Sequence, residues 1–151
     1  MDHVVYLDAK TKELENLVNG IKSMIIRGAS GRKVPYGRVN KGDVLYFINN
    51  NGEGKIKARG VVCSVLNSGM LSREESFEMI IKHQDRLQLP DRQFEKLAGK
   101  RYLVLIGVEG IEEIDHFRID KSSYTNMDDW LTVGNIQNCI LHNVVRSLTT
   151  Q

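Results

Sequence analysis

Residues 44–66 read VLYFINNNGEGKIKARGVVCSVL. Residues 44–48 form a short, almost wholly apolar run, the pattern of a buried strand. Residues 49–54 (NNNGEG) follow. An Asn-Gly step supplies the positive φ angles of a tight turn, so this segment predicts a hairpin. Residues 55–66 are the returning strand. In its first half Lys55, Lys57 and Arg59 alternate with Ile56 and Ala58, which places the three cations on one face. Its second half (VVCSVL) is apolar on both faces and predicts a core crossing, with Cys63 packed inside. The two strands of such a hairpin are antiparallel.

Reading outward from the hairpin, residues 28–42 (GASGRKVPYGRVNKG) are a loop rich in glycine and basic residues. Residues 21–27 (IKSMIIR) read as a short strand. Residues 10–19 read as a helix, with Leu14, Leu17, Val18 and Ile21 on one side and Gly20 closing it. Residues 3–7 are β-prone. On the other side, Ser72-Arg73-Glu74-Glu75 is a capping box that opens a helix carrying Phe77, Ile80, Ile81, Gln84 and Leu87. Pro90-Asp91 starts a second short helix with Phe94 and Leu97, ended by Gly99. Residues 101–108 (RYLVLIGV) are the most apolar strand, and residues 112–119 predict a further short one. Residues 120–134 read as irregular, and residues 136–148 as an amphipathic helix with Ile136, Ile140, Leu141, Val144, Val145 and Leu148 on its apolar face. Strands and helices do not alternate regularly. The expected fold is α+β: a curled, mixed or antiparallel sheet with helices at its ends, and not a doubly wound parallel sheet.

The chain has 151 residues and 17.2 kDa, the size of one domain. Its net charge is +2, but residues 22–59 hold nine basic side chains against two acidic ones, while residues 63–151 hold ten against thirteen. The near-neutral total conceals a basic segment. The polar start Met1-Asp2-His3 and the absence of a long apolar run argue against a signal peptide or a membrane span, so no membrane partner is expected. Two cysteines, Cys63 and Cys139, are too few for a thiolate zinc site or a disulfide framework. His3, His83, His116 and His142 have no ligand-like spacing. A reducing, cytoplasmic setting with no cofactor and no metal is expected.

Four stretches together carry a family resemblance. Gly20-Ile21-Lys22, followed by Arg27, resembles the Gly-x-Lys-x-x-Glu-x-Arg stretch of ASCH domains, a branch of the PUA-like superfamily. Lys41-Gly42-Asp43 leading into residues 44–47 is similar to that family's entry to its barrel. Residues 57–62 resemble the next strand, and residues 101–106 its last core strand. The resemblance covers about residues 3–119 and leaves a C-terminal extension. It implies a five- or six-stranded pseudo-barrel with flanking helices, and a module that binds RNA or a modified nucleotide-like ligand. It also implies that Lys22 and Arg27 line a cleft between the first helix and the barrel. One bacterial branch hydrolyses N4-acylated cytidines with a lysine, a hydroxyl residue and a glutamate. Lys22, Ser23 and Glu74 or Glu75 are the matching candidates here, but Ile25 occupies the motif's acidic or hydroxyl position.

The residues themselves support binding. Lys55, Lys57 and Arg59 on one strand face, with Lys22, Arg27, Arg32, Lys33 and Arg38 nearby in sequence, suit a phosphate backbone, and Tyr36 suits a stacked base. Gly28, Gly31 and Gly37 let backbone amides approach an anion, although the loop lacks the ending of a nucleotide-triphosphate loop. The alternative is a solvated strand face whose lysines discourage edge pairing. Asp128-Asp129 as a metal site, Asp115-His116 as a dyad, Trp130 as a stacking platform and the helix at 136–148 as a protein-docking face are the remaining candidates.

Overall fold

The hairpin stands at the centre of a six-stranded sheet. The computed structural model describes residues 1–120 and 129–141. In chain order the elements are β1 (Asp2–Leu7), α1 (Glu13–Val18), β2 (Met24–Ala29), β3 (Val44–Asn49), β4 (Lys55–Asn67), α2 (Arg73–Lys82), α3 (Gln84–Leu87), α4 (Asp91–Leu97), β5 (Tyr102–Arg118) and β6 (Trp130–Gly134), followed by a 3-10 turn at Ile136–Cys139. The strand order is β2-β5-β4-β3-β1-β6. β1 and β3 run parallel, and every other pair is antiparallel. The sheet curls into a half-barrel, the mixed α+β architecture expected from the sequence.

Curling separates three apolar regions. The main core is lined by Val5, Leu7, Ile25, Leu45, Phe47, Val104, Ile106 and Trp130, with Leu14 and Leu17 of α1 as its plug. Residues of opposite parity on β1 and β3 pack with β6 and the 3-10 turn, through Val4, Ile48, Leu131 and Ile136, and Ile56 of β4 joins them beyond the register shift between Ile56 and Ala58. On β2 and β5 the alternate residues Met24, Ile26, Leu103 and Leu105 are covered by Ile80, Leu87 and Leu89 from the helical segment. Both faces of the sheet are therefore buried over much of its length, which explains apolar runs such as MII and LVLI. Each fully buried Leu, Ile or Phe contributes about 1.5–3 kcal/mol.

Several segments differ from the sequence reading. β2 begins at Met24, not residue 21, because the N–H groups of Ile21 and Lys22 both donate to the carbonyl of Asn16 and finish the turn after α1. Gly20 stands in that turn at φ +76°, as its position predicted. The helix from the capping box breaks at His83 into α2 and α3; the box itself is formed, with the Glu75 N–H donating to Ser72 Oγ at 3.1 Å. The two strands predicted at 101–108 and 112–119 are one 17-residue strand, β5. It stays paired with the long β4 through three register shifts, so the two strands bend together without parting. Finally, residues 130–134 are not irregular: they are β6, paired with β1. The predicted helix at 136–148 is a 3-10 turn as far as Cys139, and residues 142–148 lie outside the described residues. Cys63 is half-buried and Ser64 and Leu66 are exposed, so the second half of β4 is an alternating strand and not a core crossing. Among the described residues, no helix is long and apolar enough to cross a membrane.

Candidate functional site

β2 sets up the site through strand parity. Ile25 is fully buried in the main core, and Arg27, two residues on, projects from the same face at the mouth of the half-barrel. There its guanidinium is held on several sides. Nη1 donates to the carbonyl of Ile26 at 2.9 Å and Nη2 to that of Tyr6 at 2.8 Å. The guanidinium carbon lies 5.6 Å from the centre of the Trp130 ring. Nε is 3.1 Å from Asp129 Oδ2. The Arg27 side chain is 17% exposed and that of Asp129 62%, so a fixed cation meets a carboxylate that solvent reaches.

A buried polar relay orients Trp130 behind Arg27. The indole N–H donates to His3 Nδ1 at 3.2 Å, and His3 Nε2 lies 2.8 Å from Asp43 Oδ2. An indole nitrogen can only donate, which assigns Nδ1 as acceptor and puts the ring hydrogen on Nε2, towards Asp43. His3 is fully buried. Burial by itself would raise the Asp43 carboxyl, but the Asn40 N–H and the His3 ring outweigh it and hold the carboxyl below its ordinary range. Because the indole N–H is spent on His3, the ring face is left for the guanidinium.

Two cavities flank Arg27. The first, about 370 Å³, is lined by Arg27, Gly28, Gly31, Lys33, Tyr36, Lys96, Tyr102 and Asp129, among others. The second, about 550 Å³, is lined by Asp8, Lys10, Glu13, Asn50, Arg92, Gln93 and again Arg27, Lys96, Leu97 and Asp129. The shared residues make them two lobes of one cleft, with the Arg27–Asp129 pair on the partition. Among the described residues, five cations line it: Lys10, Arg27, Lys33, Arg92 and Lys96. Arg92 and Lys96 stand four residues apart on α4 and so share one side of that helix. Tyr36 and Tyr102 meet edge to face at 5.7 Å, and Arg32 lies over both rings, at 5.8 and 5.7 Å. The Tyr36 hydroxyl donates to the Ser68 carbonyl, which anchors the loop. A side chain at Gly28 would meet Leu103 and Leu97 at 2.9 and 3.1 Å, so a residue without Cβ keeps α4 close to β2.

The acidic groups of the cleft are engaged. Asp8 accepts from Gln93 Nε2 at 2.7 Å, from Thr11 Oγ1 at 3.1 Å and from the Lys10 N–H at 3.1 Å. Glu13 accepts from the Asp8 N–H at 3.1 Å and pairs with Lys22 at 3.3 Å.

The sequence candidates divide accordingly. Arg27, Lys33 and Tyr36 line the cleft, with Arg32 at its rim. Lys22 does not. Its side chain is 3% exposed and sits behind Glu13, with Nζ donating to the Leu87 carbonyl at 2.6 Å. Burial pushes this ammonium below its ordinary range, against the pull of Glu13. Arg38 is exposed and borders neither lobe. Lys55, Lys57 and Arg59 lie along β4 and also border neither lobe. Lys57 pairs with Glu53 at 2.5 Å and Arg59 with Glu112 of β5 at 2.7 Å. The hydrogen bond from Lys57 lowers Glu53 below its ordinary range, and Glu112 holds Arg59 above its own.

The hydrolase set is spread over three separate contacts. Lys22 pairs with Glu13, Ser23 Oγ accepts from Arg86 Nε at 3.1 Å, and Glu75 is occupied in the capping box, whose Ser72 N–H lowers its carboxyl. Ile25 is core. Asp128 lies outside the described residues, Asp129 is on Arg27, and no metal-like cluster of His, Cys, Asp and Glu occurs among the described residues. Asp115 and His116 are exposed on β5. Trp130 is buried as packing and supports Arg27 with its face. Lys10, Arg92, Lys96 and Tyr102 are the cleft residues that sequence reasoning missed, and Asp129, a metal candidate in the sequence, is instead the partner of Arg27. Their only advance signal was the spacing of Arg92 and Lys96 on a predicted helix.

The fold has solved counterparts. Three crystal structures of the ASCH protein ZmASCH from Zymomonas mobilis superpose over nearly the whole chain. A serine-to-alanine variant gives a TM-score of 0.65 at 11% identity, covering 97% of this chain and 95% of that one. A tyrosine-to-phenylalanine variant gives 0.63 at 10% identity, covering 99% and 96%. A third structure, of ASCH from the same organism, gives 0.57 at 11%, covering 99% and 94%. No protein-family model and no curated protein matches the sequence. At these identities the likeness is one of fold, the half-barrel of those ASCH structures.

Proposed function

We propose that the protein is a binding module for single-stranded RNA or a nucleotide-like ligand, held in the two-lobed cleft around Arg27. The observation that carries this reading is the convergence of Lys10, Arg27, Lys33, Arg92 and Lys96, from four separate parts of the chain, on one cleft edged by Tyr36 and Tyr102. A phosphate backbone gains from such convergence by counterion release, and Tyr36 and Tyr102 add aromatic surface against which a base can pack. The likeness to ASCH structures is compatible with this class of ligand. Binding needs no cofactor, metal or catalytic group. The β4 cations are left out of the ligand surface, because Glu53 and Glu112 already neutralise two of them.

The test is fluorescence anisotropy with a short labelled single-stranded RNA over a salt series. The logarithm of affinity falls linearly with that of salt, by roughly 0.7 per phosphate neutralised on a single strand. Three or more contacts give a slope near −2 or steeper. Binding that ignores salt, or none at low salt, counts against the reading.

A further inference from the structure

We propose that Arg27 is the anion-binding centre of this cleft, and that Asp129 is an internal carboxylate which an incoming phosphodiester displaces. The inference rests on the binding reading above and adds which group of the ligand is recognised, and at what internal cost.

The two partners of the ion pair are held very differently. Arg27 keeps its place without Asp129, because two main-chain carbonyls and the Trp130 ring already fix the guanidinium plane. The Asp129 carboxylate is 62% exposed. Its main chain is anchored independently, since the Tyr6 N–H donates to the Asp129 carbonyl at 2.9 Å. The side chain can therefore turn away without unpairing β6 from β1. The other two carboxylates of the cleft are spoken for by several donors each, Asp8 by three and Glu13 by the Asp8 N–H and Lys22.

Position and chemistry agree with displacement. Arg27 and Asp129 border both lobes, so a ligand running through the cleft passes the pair. A guanidinium edge that accommodates a carboxylate oxygen also accommodates a phosphate oxygen, and Lys33 and Lys96 stand beside it to share the second charge of a phosphoryl group or the next phosphate. With Asp129 swung outward the partition opens, and the two lobes become one groove. The carboxylate then acts as a selectivity filter. A neutral ligand gains nothing at Arg27 to offset the broken pair, whereas a phosphodiester replaces one anion by another.

The experiment compares wild type, Asp129→Asn and a remote control, Glu78→Gln on α2, with a short fluorescent single-stranded RNA at several salt concentrations. Removing one screened unit charge beside the phosphate tightens binding roughly fivefold in Asp129→Asn. The uncovered cation makes the salt slope steeper by roughly 0.7. Glu78→Gln stays within twofold. Equal or weaker binding by Asp129→Asn, or an equal gain from Glu78→Gln, overturns the displacement while leaving the RNA reading intact. In parallel, inorganic phosphate is titrated against ¹⁵N-labelled wild type and Asp129→Asn, following the Arg27 Nε–H resonance. A saturable shift in both proteins, reached at lower phosphate in the variant, supports the displacement even if the RNA fails to bind and the broader reading falls. An Arg27 resonance that phosphate leaves unmoved in Asp129→Asn overturns it.

Discussion

Arg27 and Arg59 are both strand arginines facing a carboxylate, yet they belong to different kinds of surface. Arg59 lies open on β4, 49% exposed, and meets a 54% exposed Glu112. Its further contact is the Tyr46 side chain across the hairpin, and such exposed pairs contribute little because water competes for both ends. Arg27 is 17% exposed, bonded to two carbonyls, and backed by Trp130, which is itself held by His3 and Asp43. The difference teaches that a cation becomes a recognition element when the protein spends other groups on holding it still. Rigidity keeps the ordering cost out of the binding step.

The comparison can be broken most directly by Arg27→Ala. It removes the donors of the Tyr6 and Ile26 carbonyls, so it costs about 1.5–3 kcal/mol in a urea titration, and the lost phosphate contact lowers RNA affinity by roughly tenfold or more. If Arg59→Ala weakens RNA binding equally, the distinction between the two regions is lost.

Asp43→Asn tests the relay behind Arg27. It costs about 1.5 kcal/mol at neutral pH, since a hydrogen bond to a charged group is given up. RNA affinity drops by only a few-fold, because the residue positions Trp130 without touching ligand. The folded carboxyl lies below the reference 3.8, so on acidification the unfolded chain takes up its proton first. Wild type's margin over the variant is thus complete above that reference value and disappears as pH falls through the lower folded one. A margin that persists unchanged in strong acid would remove Asp43's charge from the account.

Arg92→Glu with Lys96→Glu leaves the fold and weakens RNA binding several-fold, with a salt slope shallower by up to roughly 1.4 for two lost phosphate partners. The smallest effect belongs to the other region. Lys57→Ala with Arg59→Ala leaves the urea midpoint where it was and changes RNA affinity less than twofold, roughly the scale of exposed pairs. A salt slope that flattens in this variant would return β4 to the ligand surface.

Much of the fold was legible because its signals are local. The Asn-Gly turn, the capping box at Ser72 and the left-handed Gly20 each depend on residues within a few positions. Strand alternation put Arg27 on the same face as the core residue Ile25. The misread segments depend on distant partners. β5 continues past Gly107 because β4 is there to pair with it, and β6 forms because β1 offers an edge. The site divides in the same way. Arg27, Arg32, Lys33 and Tyr36 were found because they sit within ten positions of one another. Lys10 and the α4 pair were missed because only folding brings the start of α1 and α4 to β2. The β4 cations looked available because Glu112 is 53 residues from Arg59, although Glu53, four residues before Lys57, was a visible warning.

What this sequence determined by itself was the hairpin, the capped start of α2 and the alternation that sets Arg27 with Ile25, since periodicity and turn chemistry are properties of a few neighbouring residues. Which positive charges remain available was decided only by tertiary structure. A side chain's charge is spent or spared by groups close to it in space, and the carboxylates that silence Arg59 and Lys22, like the Trp130 ring and the Tyr6 carbonyl that steady Arg27, arrive from other elements.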